Sequence, residues 1–350
     1  MKYPEIEFSE ELVRNYTGNI TQLGGLRHSV LQGGKSRGCE AVDFTLGSGL
    51  AFTVLPERGM DIAWASYRGV PLCYMAKPGV VSSAHYEPAG IDWLRSFFAG
   101  MLTTCGLSNV GNPAVERHVE LGEVRHGLHG RISNTPAEQL CLREEWKDGK
   151  YVMSASGLMR EAILHGDHMT LRRSITAALG EKSFTLSDRV SNEGAYEHHL
   201  SLLYHINIGY PLLGKNSRVV LNPISTVGPD DDFVICREPS TRAPQLGYAH
   251  DLAEGPDGLV YAAVINDELE FGLAISYKKA ALPKFNEWKV MSTGEYVIGL
   301  EPGTCLPISR EKVEEQGEAL IIPPGGAYDV SITFTVLDGN DDIGMFMQAL

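Results

Sequence analysis

The sequence has 350 residues, of which 43% are hydrophobic and 21% charged, so it contains enough apolar material for a large folded core. Its 30 basic and 44 acidic residues give a formal net charge of −14, which argues against nucleic-acid binding and against a polybasic membrane patch. No apolar run approaches the roughly 18 residues of a membrane-spanning helix.

The cysteine pattern and the N-terminal segment indicate a reducing compartment. The six cysteines are widely spaced, no two of them form a C-x-x-C pair, and the first residues lack the apolar stretch of a signal peptide. We therefore expect free thiols, no zinc ribbon and a cytoplasmic location.

Strand patterns dominate the chain from its first third to its end. A short helix is predicted after Ser9, and a second one is predicted over residues 341–347. Residues 91–98 fit a helix or a strand equally well. The clearest predicted strands are 44–46, 51–55, 168–176, 183–190, 319–322 and 328–336. With 38 glycines and 18 prolines for turns, the pattern predicts an all-β fold, mostly antiparallel, as one domain over residues 1–350.

A histidine and an asparagine share one face of the apolar segment 201–210. Side chains alternate along a strand, so His205 and Asn207 lie on the same side as Gly209, which leaves space for a polar ligand. The alternative is a hydrogen-bonded histidine in the core, since buried histidine is common.

A carboxylate ends the apolar segment 296–301. Glu301 shares its face with Gly299, and Pro302 favours an extended backbone at Glu301. A carboxylate on the floor of a sheet loses solvent, which raises its pKa towards that of a useful general base. The alternative is a glutamate at the strand end that points to water.

Two histidines flank a glycine in residues 125–131. His126 and His129 form an H-x-x-H pattern, which could supply two metal ligands, but no third ligand stands at a recognisable spacing. A loop that borders a polar pocket explains the pattern without a metal, and we expect no metal and no cofactor.

Several charged residues stand among apolar ones, as they often do in sugar sites, where polar groups bind hydroxyls and an aromatic ring stacks on the sugar. This reasoning selects Arg58, Asp61, Arg95, Trp288 and Lys289 as candidate substrate-binding residues. Surface salt bridges explain the charged members of this set equally well.

Three motifs in order resemble those of the aldose 1-epimerases, or galactose mutarotases. They are G-L-H-G at 127–130, H-I-N at 205–207 and G-L-E-P at 299–302, and they stand where that family has L-H-G-G, H-x-Y-F-N and E-T-Q. The resemblance covers roughly residues 40 to 335 and is closest to an uncharacterised bacterial branch of the superfamily.

The resemblance implies a galactose mutarotase-like β-supersandwich whose concave face holds a monosaccharide. It implies that the protein interconverts the α and β anomers of an aldose, with His205 as general acid and Glu301 as general base. It also implies that His129 and Arg95 bind the sugar. Asn207, which shares a strand face with His205, is a further candidate for binding the sugar. We expect the negative charge of Glu301 to raise the pKa of His205.

Two other functions stay open at this point. One is a sugar-binding or sensing module without turnover, and the other is a different sugar isomerase or lyase that uses His126 and His129 on a metal. One observation separates the binding module from an epimerase. In an epimerase, Glu301 and His205 should face each other across a cleft about one sugar ring wide. The expected partner is a monosaccharide, with neither nucleic acid nor membrane, and a homodimer stays open.

Overall fold

Antiparallel β-sheets make up most of the structure, a computed structural model that describes residues 8–118 and 120–350. The first strands are β1 (Gly25–Val30), β2 (Glu40–Thr45), β3 (Leu50–Leu55), β4 (Asp61–Tyr67), β5 (Val70–Pro71), β6 (Thr103–Leu107), β7 (Ala114–His118), β8 (Gly122–His126), β9 (Glu138–Lys147), β10 (Lys150–Ala162) and β11 (His168–Ala178). The others are β12 (Ser183–Asn192), β13 (His198–Gly209), β14 (Ser217–Leu221), β15 (Pro223–Val227), β16 (Gln245–Leu252), β17 (Val260–Asn266), β18 (Phe271–Tyr277), β19 (Lys284–Ser292), β20 (Glu295–Gly303), β21 (Leu320–Ile322) and β22 (Ala327–Asp338).

Helices are few and short in this part of the chain. The α-helices are α1 (Glu10–Tyr16), α2 (Arg310–Glu315) and α3 (Asn340–Ala349). The 3₁₀ helices are Ile20–Gln22, Gly34–Ser36, Ser83–His85, Asp92–Arg95, Ile132–Asn134 and Asp232–Val234. Helix α1 begins where it was predicted, because the Oγ atom of Ser9 accepts a hydrogen bond from the backbone N–H of Leu12.

Three large sheets carry the fold. Strands β1 to β5 form a five-stranded sheet in sequence order. The eight-stranded sheet has the order β14-β17-β18-β22-β12-β11-β10-β9, and the seven-stranded sheet has the order β15-β16-β19-β20-β13-β21, with β6 also paired to β13. Strands β7 and β8 form a separate hairpin. The predicted all-β, mostly antiparallel architecture with few short helices is confirmed.

Four phenylalanines join the five-stranded sheet to the eight-stranded sheet. Phe44 stacks on Phe52, Phe52 stacks on Phe184, and Phe184 stacks on Phe334, with ring centroids 4.6, 4.2 and 4.7 Å apart. Phe44 and Phe52 lie on β2 and β3, which are neighbours in the five-stranded sheet. Burying aromatic rings of this size contributes strongly to the stability of a core.

A buried ionic network fixes the strand that carries His205. Arg173 on β11 donates to Asp188 on β12 and to Asp61 at the start of β4, at 2.7 to 2.9 Å, and these charged groups are fully or almost fully buried. Asp61 accepts from Thr104 of β6, and Asp188 accepts from the hydroxyl of Tyr204. Strand β13, to which Tyr204 belongs, is buried along its whole length.

The structure also bears on the predicted absence of a membrane-spanning helix and on the predicted free thiols. Over residues 8–118 and 120–350, the structure has no helix long and apolar enough to cross a membrane. All six cysteines are unpaired, and Cys141 is the exposed member. Residues 92–95, in the segment that the sequence left undecided, form a 3₁₀ helix.

Candidate active site

A cavity of about 640 Å³ opens on the seven-stranded sheet. The neighbouring strands β13, β20, β19 and β16 each contribute side chains to it, and the 3₁₀ helix Asp92–Arg95 and the loop around His129 form its other walls. Because side chains alternate along each strand, only every second residue of these strands faces the cavity.

His205 and Glu301 are in contact at the floor of this cavity. The antiparallel register that pairs Ile206 with Leu300 sets His205 on β13 beside Glu301 on β20. The Nε2 atom of His205 lies 3.0 Å from the Oε1 atom of Glu301, and the two residues are 6% and 2% exposed. The two groups are therefore closer than the sequence-based expectation of a gap as wide as a sugar ring.

Two neighbours orient the carboxyl group of Glu301. The amide of Asn286, directly opposite on β19, donates to Oε2 at 2.6 Å. Gly299 lies beneath the other oxygen, where an added Cβ atom would be 2.6 Å from Oε1 and 3.2 Å from the His205 ring. A glycine is therefore needed at this position for the carboxyl group to reach His205.

Burial shifts the pKa values of the two groups in opposite directions. It raises the pKa of Glu301 to about 8, against the hydrogen bond from Asn286 and with the added effect of the charge on Glu287. Burial, with a smaller contribution from the neighbouring His129, lowers the pKa of His205 to about 3. The expected raised pKa of Glu301 agrees with this, whereas the expected rise in the pKa of His205 is wrong, because burial disfavours the charged imidazole and Glu301, with its own pKa raised, carries no charge in the range where His205 titrates.

His129 faces the cavity as a neutral hydrogen-bond donor. Its Nδ1 atom accepts from the backbone N–H of Gly111 at 3.3 Å, so the neutral ring carries its proton on Nε2. Burial lowers the pKa of His129 to about 4, which keeps the ring uncharged. The backbone of His129 is left-handed, with φ of 56°, and an added Cβ at Gly130 would lie 2.1 Å from the Gly106 carbonyl oxygen. The second glycine of the motif is thus fixed by close backbone packing.

Aromatic rings enclose the imidazole of His205. Phe97 and Trp288 each have a ring centroid 5.2 Å from that of His205, and Trp93 packs on His129 at 4.7 Å. All three aromatic residues line the cavity. The walls therefore combine apolar surface for a sugar ring with a few polar groups that can bind hydroxyls.

The structure brings His129, His205, Trp288 and Glu301 together, out of the nine residues selected from the sequence. Asn207 lies close by but does not reach the cavity. Its side chain is fully buried and donates to the backbone oxygen of His205 at 2.8 Å, so it supports the strand next to the histidine.

Arg58 is buried away from the cavity, which corrects its selection as a sugar-binding residue. Its guanidinium group is fully buried and donates to the backbone oxygens of Val81, Ser96 and Ser133 at 2.5 to 3.0 Å. A guanidinium engaged in this way holds three loops together and has no route to a ligand.

The prediction that Asp61 and Lys289 bind the sugar is also wrong, because both side chains are buried in contacts away from the cavity. Asp61 belongs to the buried network around Arg173. Lys289 is on the face of β19 opposite to Trp288, and its Nζ atom donates to the backbone oxygen of Asp232 at 3.0 Å and lies 3.2 Å from Glu287. Both charges therefore hold the fold and do not line the cavity.

Arg95 lies outside the cavity. It closes the 3₁₀ helix, and its exposed side chain pairs with Asp92 at 2.8 Å. The preceding residues of the same helix, Trp93 and Leu94, face the cavity in its place. A ligand contact by Arg95 would require its side chain to leave this position.

The two histidines of the H-x-x-H pattern have separate surroundings. His126 is buried against Glu116, with 2.8 Å between Nε2 and Oε2, whereas His129 faces the cavity. Within the described residues, no group of three histidine, cysteine, aspartate or glutamate side chains is arranged to hold a metal ion. The donors needed for the metal-dependent alternative are therefore not assembled around these histidines.

Sequence reasoning did not select Asn286, Lys77 or Glu295, which also line the cavity. Lys77 and Glu295 form an ion pair of 2.6 Å at the mouth, although they are 218 residues apart in sequence. Their pairing depends on the position of the loop after β5 against the β19–β20 turn, for which the sequence has no local signal. Asn286 stands in the segment N-E-W-K, from which Trp288 and Lys289 were selected and Asn286 was not.

Solved structures with the same fold come from several bacteria. A protein from Klebsiella pneumoniae, provisionally named an aldose 1-epimerase, superimposes with a TM-score of 0.84 and 24% identity over 92% of this chain and 86% of its own. A galactose mutarotase-like protein from Clostridium acetobutylicum gives 0.61 and 11% over 91% and 99% of the two chains. A galactose 1-epimerase from Lactobacillus acidophilus gives 0.58 and 9% over 91% and 100%. The fold is therefore galactose mutarotase-like, as the motifs predicted.

Comparison by sequence places the chain in a family. No curated protein matches it. A family model described as "Domain of unknown function (DUF4432)" matches residues 36–336, which is most of the chain. The protein therefore belongs to the DUF4432 family and has the fold of the galactose mutarotase-like proteins.

Proposed function

We propose that this protein is an aldose 1-epimerase that interconverts the α and β anomers of an uncharged monosaccharide. The observation that carries the proposal is the contact between His205 and Glu301, two buried groups of complementary proton affinity at the floor of a cavity with aromatic walls. The names of the Klebsiella pneumoniae and Lactobacillus acidophilus proteins with this fold support the same reaction class.

Anomer exchange needs one proton donor and one proton acceptor close together. A base removes the proton of the anomeric hydroxyl, an acid protonates the ring oxygen, and the bond between that oxygen and the anomeric carbon breaks. The resulting aldehyde rotates, and the ring closes on its other face while both protons return. Both oxygens are bonded to the same carbon, so two catalytic groups in contact can serve both of them.

The shifted pKa values favour a pair that holds a single proton near neutral pH. At any pH between the lowered pKa of His205 and the raised pKa of Glu301, His205 is neutral and the single proton of the pair is on Glu301. Opening and closing of the ring use the two groups in opposite senses, so each of them acts once as acid and once as base. The roles expected from the sequence, Glu301 as base and His205 as acid, describe one of these two senses.

His129 and Trp288 would hold the sugar above this pair. The Nε2–H group of His129 can donate to a sugar oxygen, since its Nδ1 atom is already engaged with Gly111. The indole of Trp288 offers an apolar face beside His205. Stacking on such a face and a neutral hydrogen-bond donor suit a sugar ring with hydroxyl groups.

The charges around the cavity favour an uncharged sugar. Lys77 is at the mouth, but its Nζ atom is paired with Glu295 at 2.6 Å. Arg58 is fully engaged with backbone oxygens, and Arg95 is paired with Asp92. A phosphate or carboxylate on the sugar would face Glu295 without a free cation among these groups, which would weaken its binding.

Exchange spectroscopy by NMR tests this proposal directly. Purified protein would be added to equilibrated aldoses and their 6-phosphates, and saturation transfer between the α and β anomeric protons would be compared with buffer alone. We expect accelerated exchange for at least one uncharged aldose and slower exchange for its phosphate. Saturable binding with no accelerated exchange for any sugar would instead identify a binding module.

A further inference from the structure

Glu301 is held by an amide side chain that no sequence motif marks. Asn286 stands opposite Glu301 in the pairing of β19 with β20 and lines the cavity, whereas its neighbours Phe285 and Glu287 are buried on the other face of the strand. The Nδ2 atom of Asn286 donates to Oε2 of Glu301 at 2.6 Å.

Because of this hydrogen bond, the two carboxyl oxygens of Glu301 have different neighbours. Because Oε2 is engaged by Asn286, Oε1 is left to face the Nε2 atom of His205 at 3.0 Å. Gly299 leaves Oε1 the space it needs, since a Cβ atom there would lie 2.6 Å away. Rotation of the carboxyl group about its last bond would break the hydrogen bond to Asn286, so Asn286 opposes that rotation.

We propose that Asn286 is a positioning residue, which fixes the carboxyl group of Glu301 so that a single oxygen exchanges protons with the sugar and with His205. The proposal rests on the proposed epimerase function for its effect on catalysis. Its structural part, the hold of Asn286 on the Glu301 carboxyl group, can be measured without any substrate.

The titratable groups around Glu301 determine what the loss of this bond would do. His205 faces Glu301 from β13, Cys105 is next to it on β6, Glu287 lies on the opposite face of β19, and His129 borders the same cavity. The negative charge of Glu287 and burial both raise the pKa of Glu301, and the hydrogen bond from Asn286 lowers it. Removal of that bond therefore leaves the ionised carboxylate less stable and moves the pKa of Glu301 further up.

Two variants of nearly unchanged size remove the neutral donor. Asn286→Leu deletes the hydrogen bond, and Asn286→Asp replaces the amide with a second carboxyl group at the same place. We expect kcat to fall by about 10- to 100-fold, as for a reacting group slightly out of place, with KM changed less than about 3-fold. We also expect the alkaline limb of the pH profile to move to higher pH in both variants.

A surface pair of the same chemistry provides the control. Asn216 donates through Nδ2 to Oε2 of Glu268 at 2.5 Å, and the pair is exposed to solvent. Asn216→Leu should leave kcat, KM and the pH profile unchanged. If Asn286→Leu fails to fold, as judged by circular dichroism, Asn286→Asp still tests the proposal.

The decisive readout is the titration of Glu301 by ¹³C NMR in protein labelled at the glutamate carboxyl carbon. The resonance would be assigned by its loss in Glu301→Gln, and we expect its midpoint to rise in Asn286→Leu and not in Asn216→Leu. An unmoved midpoint, or a raised KM with unchanged kcat, would overturn the positioning role. If wild-type protein exchanged no sugar, the epimerase proposal would fail, and a raised midpoint would still support the hold of Asn286 on Glu301.

Discussion

The Oε1 atom of Glu301 lies 3.0 Å from the Nε2 atom of His205 at the floor of the cavity, close enough for a proton to pass between them. Burial opposes charge on both groups, so it raises the pKa of the carboxyl group and lowers that of the imidazole. Two groups this close titrate as a unit, and the pH dependence of the protein belongs to the pair.

The first prediction is a bell-shaped pH profile of kcat/KM with its limbs set by burial. At low pH the pair gains a second proton at His205, whose pKa is about 3, and at high pH it loses its proton from Glu301, whose pKa is about 8. The rate should therefore be flat through neutral pH and fall as the pH rises through the alkaline limb. His205→Asn should remove most of the rate together with the acidic limb.

The measurement is anomer exchange across the pH range in which circular dichroism shows a folded protein, after subtraction of the reaction in buffer. An acidic limb at the ordinary pKa of glutamate would contradict the assignment, because it would mean that the Glu301 carboxyl group titrates as if it were solvated.

The second prediction concerns the glycine beneath the carboxyl group. Gly299→Ala places a Cβ atom 2.6 Å from Oε1 of Glu301, so the carboxyl group must move away from His205. We expect kcat/KM to fall by about 100-fold, as for a catalytic group displaced by about 1 Å.

Gly33→Ala is the control, since Gly33 lies outside the cavity with an extended backbone, and a Cβ atom there meets nothing within 4 Å. Equal rates for both variants in the same exchange assay would show that the position of Glu301 Oε1 does not matter. A thermal midpoint measured for each variant separates a local displacement from general loss of the fold.

The third prediction concerns the buried network that holds β13. Arg173→Met leaves the carboxylates of Asp61 and Asp188 buried without their cation. We expect the free energy of unfolding to fall by about 3–5 kcal/mol, as it does when one partner of a buried ion pair is removed. Urea denaturation monitored by circular dichroism gives this value.

The exposed pair of Arg189 with Asp329 provides the comparison, because it also joins strands of the eight-stranded sheet. Arg189→Met should cost only about 0–1 kcal/mol, as for other surface ion pairs. A similar cost for both variants would mean that the buried network contributes no more than a surface salt bridge.

The sequence predicted the parts of the site that depend on strand alternation. His205 and Glu301 each follow from the side chains that share a face within one strand, and the order of three motifs indicated the fold. Asn286 could not be identified in this way, because its role depends on the register between β19 and β20, which brings it opposite Glu301.

Two charged residues that were predicted to bind the sugar, Asp61 and Arg58, instead bind other buried parts of the protein. Asp61 pairs with Arg173, 112 residues further along the chain, and Arg58 donates to loops that are 23 to 75 residues away. A charged residue among apolar ones has the same local pattern whether it binds a ligand or a distant part of the core. Only the tertiary contacts distinguish the two cases.

The central claim is that Glu301 transfers protons during anomer exchange, and two-dimensional exchange NMR of wild-type protein, Glu301→Gln and Glu181→Gln tests it most directly. Glutamine keeps the size and the hydrogen bonding of Glu301 but takes up no proton, while Glu181 forms a surface pair with Lys150 and serves as the control. Proton transfer by Glu301 predicts accelerated exchange of an uncharged aldose by wild type and Glu181→Gln, and a loss of at least about 100-fold in Glu301→Gln with the sugar still bound. Wild-type exchange rates in Glu301→Gln would contradict it.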